Sequence, residues 1–174
     1  MSAENKGKPH VILMCGVSGS GKTTYAVQKE REGYVRLSID EEMWSRYGRY
    51  GVDYPPERYG ELSAQVEMQL RKRLSELIRA GRDVVVDFSF WSRQRRNEYR
   101  LLIERAGGHA DLIYLKADLE TLRARLARRN LHIGPNAAYV ITDEILQRYF
   151  DGFEEPFGEG ETVIAQKTEK ETAR

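Results

Sequence analysis

Most of what would set this chain apart from an ordinary globular enzyme is missing from it. Its 174 residues hold one cysteine, Cys15, which excludes a disulfide framework and any zinc site built on a CxxC pair. Long apolar runs are absent: the longest, Val11–Cys15, is far short of the roughly 20 residues a membrane span needs. Met1–His10 is polar and does not resemble a signal peptide. Excess charge of either sign is also lacking. With 28 Lys+Arg against 27 Asp+Glu the net charge is +1, which gives no global pull toward nucleic acid or an anionic membrane. No His/Cys/Asp cluster has zinc-ligand spacing, and no fixed-period repeat or Pro- or Ser-rich linker divides the chain. What is present, 40% hydrophobic and 10% aromatic residues, is too apolar for disorder and long enough for one cored domain. The expectation is a cytoplasmic single domain, monomeric or weakly dimeric, with no membrane partner. One asymmetry stands out: twenty of the basic residues are arginine and eight are lysine.

Apolar runs alternate with amphipathic stretches. Strands are expected at 11–17, 34–39, 83–88, 112–115 and 162–165. Helices are expected at 21–32, 56–80, 93–106, 119–130 and 142–153, the second carrying Leu62, Val66, Leu70, Leu74, Leu77 and Ile78 at helical spacing. This alternation implies βαβ units, hence an α/β fold with a mostly parallel sheet covered by helices on both faces. Ligands of such sheets collect at the carboxyl ends of the strands. The polar ends, 1–9 and 166–174, read as flexible tails around one domain over 10–165.

Gly16-Val17-Ser18-Gly19-Ser20-Gly21-Lys22-Thr23 fits G-x-x-x-x-G-K-[ST] between an apolar run and a helix. Glycines let successive N–H groups curl around anionic oxygens, and the helix that follows aims its positive end at the same oxygens. The expected nucleotide-binding set is Gly16, Ser18, Gly19, Ser20, Gly21, Lys22, Thr23 and Thr24, with Lys22 on the β/γ-phosphates and the Thr23 hydroxyl on Mg²⁺. Guanine recognition is disfavoured because Leu115-Lys116-Ala117-Asp118 has leucine where an amide or hydroxyl is needed, and Asp118 reads as a helix N-cap. Cys15, at the end of a buried strand, reads as a small apolar residue.

Val84-Val85-Val86-Asp87 is an apolar strand ending in one carboxylate with no adjacent glutamate, which suits magnesium at Asp87 better than motor ATPase work. Asp40 closes the second strand beside the loop, where a kinase needs a base for the attacking hydroxyl; it is also placed to cap the helix starting at Glu41. Arg125 and Arg129 are i,i+4 neighbours on one helix, leading into the turn-rich stretch Asn130–Ala138, which reads as a mobile flap. Together they suggest a lid that supplies positive charge to a transferred phosphoryl group and excludes water.

The P-loop, Asp40, the run VVVDFSFWSRQRR, RLARRN and TDEILQRYFDGFEEP together resemble the zeta-toxin-like and chloramphenicol-phosphotransferase-like P-loop kinases, from about Val11 to Pro156. The resemblance implies a single-domain P-loop NTPase with a nucleoside-kinase-like core, five parallel strands ordered 2-3-1-4-5, and phosphoryl transfer from ATP to a hydroxyl. It makes Asp40 the catalytic aspartate, Asp87 the second acidic strand end, Arg125 and Arg129 lid arginines, and Arg93 and Arg96 basic positions facing substrate. Phe88-Ser89-Phe90-Trp91 departs from the family pattern by its bulk.

Trp44, Tyr47, Tyr50, Tyr54 and Tyr59 crowd the connection after Asp40. They read either as a pocket wall, with Trp44 and Tyr47 on the acceptor, or as buried pins for the loop. The expected acceptor is a small hydroxylated molecule: a metabolite, sugar nucleotide or antibiotic. A polynucleotide 5′-hydroxyl is a weaker reading because the total charge is near neutral. An ATP-binding regulatory module acting through a partner protein is the rival from another class.

Overall fold

The structure, a computed structural model, describes residues 7–167. The Val-, Ile- and Leu-rich runs become strands, and the periodic stretches between them become helices. In chain order these are β1 (His10–Cys15), α1 (Lys22–Arg31), β2 (Val35–Leu37), α2 (Ile39–Tyr47), a 3₁₀ turn (Pro56–Arg58), α3 (Tyr59–Arg79), β3 (Val84–Val86), α4 (Arg93–Ala106), β4 (His109–Lys116), α5 (Leu119–Arg129), α6 (Asp143–Asp151) and β5 (Glu161–Ala165). The sheet runs β2-β3-β1-β4-β5 with every pairing parallel, the order that the family resemblance implied.

Alternation within β1 splits the core into two layers. Val11, Leu13 and Cys15 face one way, toward Leu62, Val66, Leu70, Leu74 and Ile78 of α3 and Tyr99 and Ile103 of α4. Ile12 and Met14 face the other way, with Val85, Ile113 and Leu115, toward Ala26 of α1. The α3 residues recur every four positions and are all buried, so this stripe alone seats the helix; each contributes about 1.5–3 kcal/mol of burial. A third cluster, Val17 with Leu122, Leu126, Ile141 and Leu146, joins α5 and α6 to the end of the first loop.

Three local expectations change. β2 stops at Leu37, and Ser38, in extended backbone, caps α2 by accepting the Glu41 N–H at 3.3 Å. Asp40 is therefore neither the strand's end nor the cap but a residue of the first helical turn, its carboxylate free for other work. Gln166, assigned to the tail, is held: its N–H donates to the Lys116 carbonyl at 2.7 Å. At the other end the Pro9 carbonyl accepts the His109 N–H at 2.8 Å. The rest of the expected tails, residues 1–6 and 168–174, lie outside the described residues.

Arg96 is the largest departure, since it is buried and not turned to a substrate. Its Nε and Nη2 donate to the two Glu159 oxygens at 2.8 and 2.7 Å, and its Nη1 donates to the Phe90 and Glu154 carbonyls, both at 2.9 Å. The guanidinium ties α4 to the segment before β5 and holds Phe90, whose φ of 44° is unfavourable for a residue with a Cβ. Arg93, also expected at the substrate, is 60% exposed and lies 3.8 Å from Glu159. Neither borders the cavity described below, because the helix phase that lets Arg96 reach Glu159 turns both side chains away from it.

The Arg96 hydrogen bonds hold the Glu159 carboxyl below its usual range. Their contribution to stability is present above roughly pH 4 and is lost as pH falls through the depressed value. Arg96→Met leaves a buried carboxylate and two carbonyls without their donor, and should destabilise the fold by about 3–5 kcal/mol in urea titration. Arg93→Ala should fall within about 0.5 kcal/mol of the parent. Equal effects of the two would refute the structural assignment of Arg96.

Candidate active site

At the carboxyl edge of the sheet the loops open onto a cavity of about 1100 Å³. Gly16, Ser18, Gly19, Gly21, Lys22, Thr23 and Thr24 border it, as do Asp40, Asp87, Arg125 and Arg129. Thus most of the residues picked from sequence meet in one place. Ser20 does not: its side chain is buried behind the loop, and its N–H donates to the Val17 carbonyl at 3.1 Å. Trp44 and Tyr47 also lie outside the lining. Tyr47 packs edge-on to Tyr54, and Tyr50 stacks among Tyr54, Tyr59 and Tyr139, so the aromatics mainly pin the loop; of the group picked from sequence, only Tyr59 reaches the cavity.

The loop is shaped for an anion. A Cβ on Gly16 would come within 2.5 Å of Ser20 Oγ and 2.8 Å of the Leu115 carbonyl, so the turn admits only glycine. Gly21, with φ 100°, precedes α1 in left-handed backbone. No side chain caps this helix and its first turn holds no acid, leaving its N–H groups and positive end open to a ligand.

Lys22 sits deep in the site. Its Nζ donates to the Val17 carbonyl at 3.0 Å. Burial pushes the ammonium pKa down to about 8, with Asp87 and Asp40 acting in the opposite direction. A partly buried cation with one neutral hydrogen-bond partner among the described residues is suited to a polyphosphate, which would restore its charge.

Asp87 is held by a partner the sequence reading missed. Arg36 donates from Nε and Nη2 to Asp87 Oδ2 at 3.0 and 2.8 Å, from Nη1 to Glu41 at 2.6 Å, and from Nη2 to Asn136 at 2.7 Å. The only signal for it was a charge placed inside the strand Val35–Leu37. Arg36 takes Oδ2 alone, so Oδ1 and the Thr23 hydroxyl remain as donors that fit Mg²⁺, a cation that draws its other ligands from phosphates and water.

Asp40 shares the cavity with Asp87 but not its Arg36 anchor. Burial raises the Asp40 pKa and the Asp87 charge helps to raise it, while Arg129 lowers it most among the neighbouring groups; the Tyr59 hydroxyl also lies against the carboxyl. Arg129 carries a buried Nε with no hydrogen-bond partner among the described residues. Arg125 is committed instead to the underside of the loop, donating to the Ser20 carbonyl and to Gln166, each at 3.2 Å. The flap between α5 and α6 is more tethered than expected. Asn130 exchanges hydrogen bonds with the Ile141 backbone at 2.9 and 3.1 Å, and Arg36 holds Asn136 in its middle. Cys15 is inert, since burial pushes its thiol up to about 11.

Compared with known families, this chain matches the family described as an AAA domain over residues 11–156. It belongs to that family. Several solved structures share the AAA domain's fold here. A gluconokinase from Sinorhizobium meliloti 1021 is 24% identical, covering 91% of this chain and 83% of the other at a TM-score of 0.60. A sugar kinase from Janibacter sp. HTCC2649 is 21% identical, with 91% and 85% coverage and a TM-score of 0.59. Kti12 of Chaetomium thermophilum, solved with ADP-AlF3, is 15% identical, with 89% and 88% coverage and a TM-score of 0.57. No curated protein matches. At these identities the structures show that this AAA domain has the P-loop kinase fold.

Replacing Lys22 by Ala should weaken ATP binding in the presence of Mg²⁺ by at least about tenfold in calorimetry, with the circular dichroism spectrum unchanged. Parent protein without measurable affinity for ATP would refute the nucleotide site.

Proposed function

We propose that this AAA domain is an ATP- and Mg²⁺-dependent phosphotransferase whose acceptor is the hydroxyl of a small molecule. The observation that carries this reading is the different anchoring of the two carboxylates. Asp87 is anchored by Arg36 with one oxygen to spare, whereas Asp40 faces the cavity beside Arg129 and Tyr59 with no anchoring cation at hydrogen-bond distance among the described residues. A kinase needs these two roles on different residues, metal holding and proton acceptance.

Bound with Mg²⁺, ATP supplies the phosphoryl group and the metal's partial neutralisation of its oxygens. Lys22, Thr23 and the loop N–H groups hold the phosphates, and Asp87 helps to place the metal. Asp40 accepts the proton of the acceptor hydroxyl; Arg129, whose Nε has no hydrogen-bond partner among the described residues, meets the charge that develops on the transferred group. Arg125 braces the loop from beneath. The gluconokinase and sugar kinase among the structural neighbours suit a hydroxylated small molecule. The narrower likeness to zeta-toxin-like and chloramphenicol-phosphotransferase-like kinases belongs to the same reading. A polynucleotide end gains less support, because most of the tyrosines that could stack bases are packed against one another.

Asp40→Asn should retain ATP binding and lose acceptor phosphorylation by about two or more orders of magnitude, measured as ADP release above the acceptor-free background. Because burial raises the Asp40 pKa, kcat/KM in the parent should fall on the acid side through a value above the usual aspartate range of about 4. The Asn variant should lack that limb. Undiminished turnover in Asp40→Asn would refute the base assignment.

A further inference from the structure

The phosphate side of the cavity is accounted for; residues of α3, α4 and α6 that also border it have no role above, Tyr59 excepted. Tyr59, Ser63 and Glu67 all border the cavity and recur at intervals of four along α3, so they form one stripe. Helical rise places Glu67 about 12 Å beyond Tyr59, the residue that lies against Asp40. At that far end Arg95 of α4 pairs its Nη2 with Glu67 Oε1, the same oxygen that accepts the Tyr99 hydroxyl at 2.9 Å. The remaining guanidinium nitrogens of Arg95 make no hydrogen bond among the described residues.

Arg148 of α6 borders the same cavity and makes no side-chain hydrogen bond or ion pair among the described residues. A partner was within reach in sequence. Glu144 stands four residues earlier on the same helix, the favoured order for an acid–base pair, yet the two do not form an ion pair. Glu144 bonds instead at the helix start with Thr142. Glu67 offsets the Arg95 charge, and Glu144 acts on Arg148 only through space, so the Arg148 guanidinium borders the cavity with its hydrogen-bonding set unfilled among the described residues.

We propose that the acceptor carries an anionic group, a carboxylate or a phosphate, which Arg148 and the free side of Arg95 bind while its hydroxyl lies against Asp40. Ser63 and the unused oxygen of Glu67 line the path between the two ends and suit further hydroxyls. The two arginines come from different helices, border one cavity and carry planar forks, which suits bidentate binding of an oxyanion. This inference rests on the phosphotransferase reading and extends it to the acceptor.

The test uses two matched pairs of probes, a six-carbon aldonate against its alditol and a hexose 6-phosphate against its hexose. Binding is followed by calorimetry with Mg²⁺ and a non-hydrolysable ATP analogue, and turnover by ADP release. The acid member of one pair should bind and react at least about tenfold better than its neutral partner, and the responding pair separates carboxylate from phosphate. Arg148→Gln should raise the KM for that acid by roughly ten- to a hundredfold with kcat changed by less than about threefold, and Arg148→Lys should restore part of the loss. Equal use of acid and neutral probes, failure of both acids to bind, or an unchanged KM in Arg148→Gln would overturn the proposal. An acid that binds through Arg148 but is never phosphorylated upholds the anion site and overturns the phosphotransferase reading instead.

Discussion

A buried ion pair between Arg36 and Asp87 is the constraint on which the arrangement of the site depends. Their side chains are only 4% and 3% exposed, so neither charge can rely on water, and either one alone would cost several kcal/mol. Arg36 meets that demand with three anchors, on the end of β3, the first turn of α2 and the flap. One side chain thereby fixes the orientation of Asp87, braces the helix that presents Asp40, and holds the flap across the cavity mouth. Lys22 lies at the same edge with its charge disfavoured by burial, so a polyanion is the complement the whole edge lacks.

What could be read from sequence was what local chemistry decides. The P-loop needs only a strand, a turn that tolerates glycine alone at Gly16, and a helix start without acids, all within fourteen consecutive residues of about one supersecondary unit. The stripe from Leu62 to Ile78 was legible because burial on one helix face imposes its own period. Asp40 was found for its place after a strand, although Ser38 won the competition to cap the helix. Ser38 and Asp40 are both good capping residues, and only the observed backbone decides between them.

Choosing among the arginines of α4 required tertiary information. Arg93, Arg95 and Arg96 fall within one turn, where a step of a single residue rotates the side chain by about 100°. The partner that sets the phase is Glu159, 63 residues away from Arg96. Once Arg96 is drawn inward to Glu159, Arg95 is left facing the cavity and Arg93 faces solvent. Arg36 was hidden for a related reason: its neighbours in the strand are apolar, and the residues that justify its burial come from Glu41, Asp87 and Asn136.

Satisfaction, rather than position or charge, separates the structural arginines from those left open to a ligand. Arg96 and Arg36 use all three guanidinium nitrogens inside the protein, and each ties together segments distant in sequence. Among the described residues, Arg129 keeps a buried Nε without a hydrogen-bond partner, and Arg148 makes no hydrogen bond or close ion pair although Glu144 lies one turn away and acts on it through space. An unfinished hydrogen-bonding set is costly where water is scarce, and tolerable where a ligand completes it. The near balance of 28 basic and 27 acidic residues is therefore no argument against an anionic ligand. Two buried pairs, Arg36–Asp87 and Arg96–Glu159, consume four of those charges, while Lys22, Arg129 and Arg148 all border one cavity.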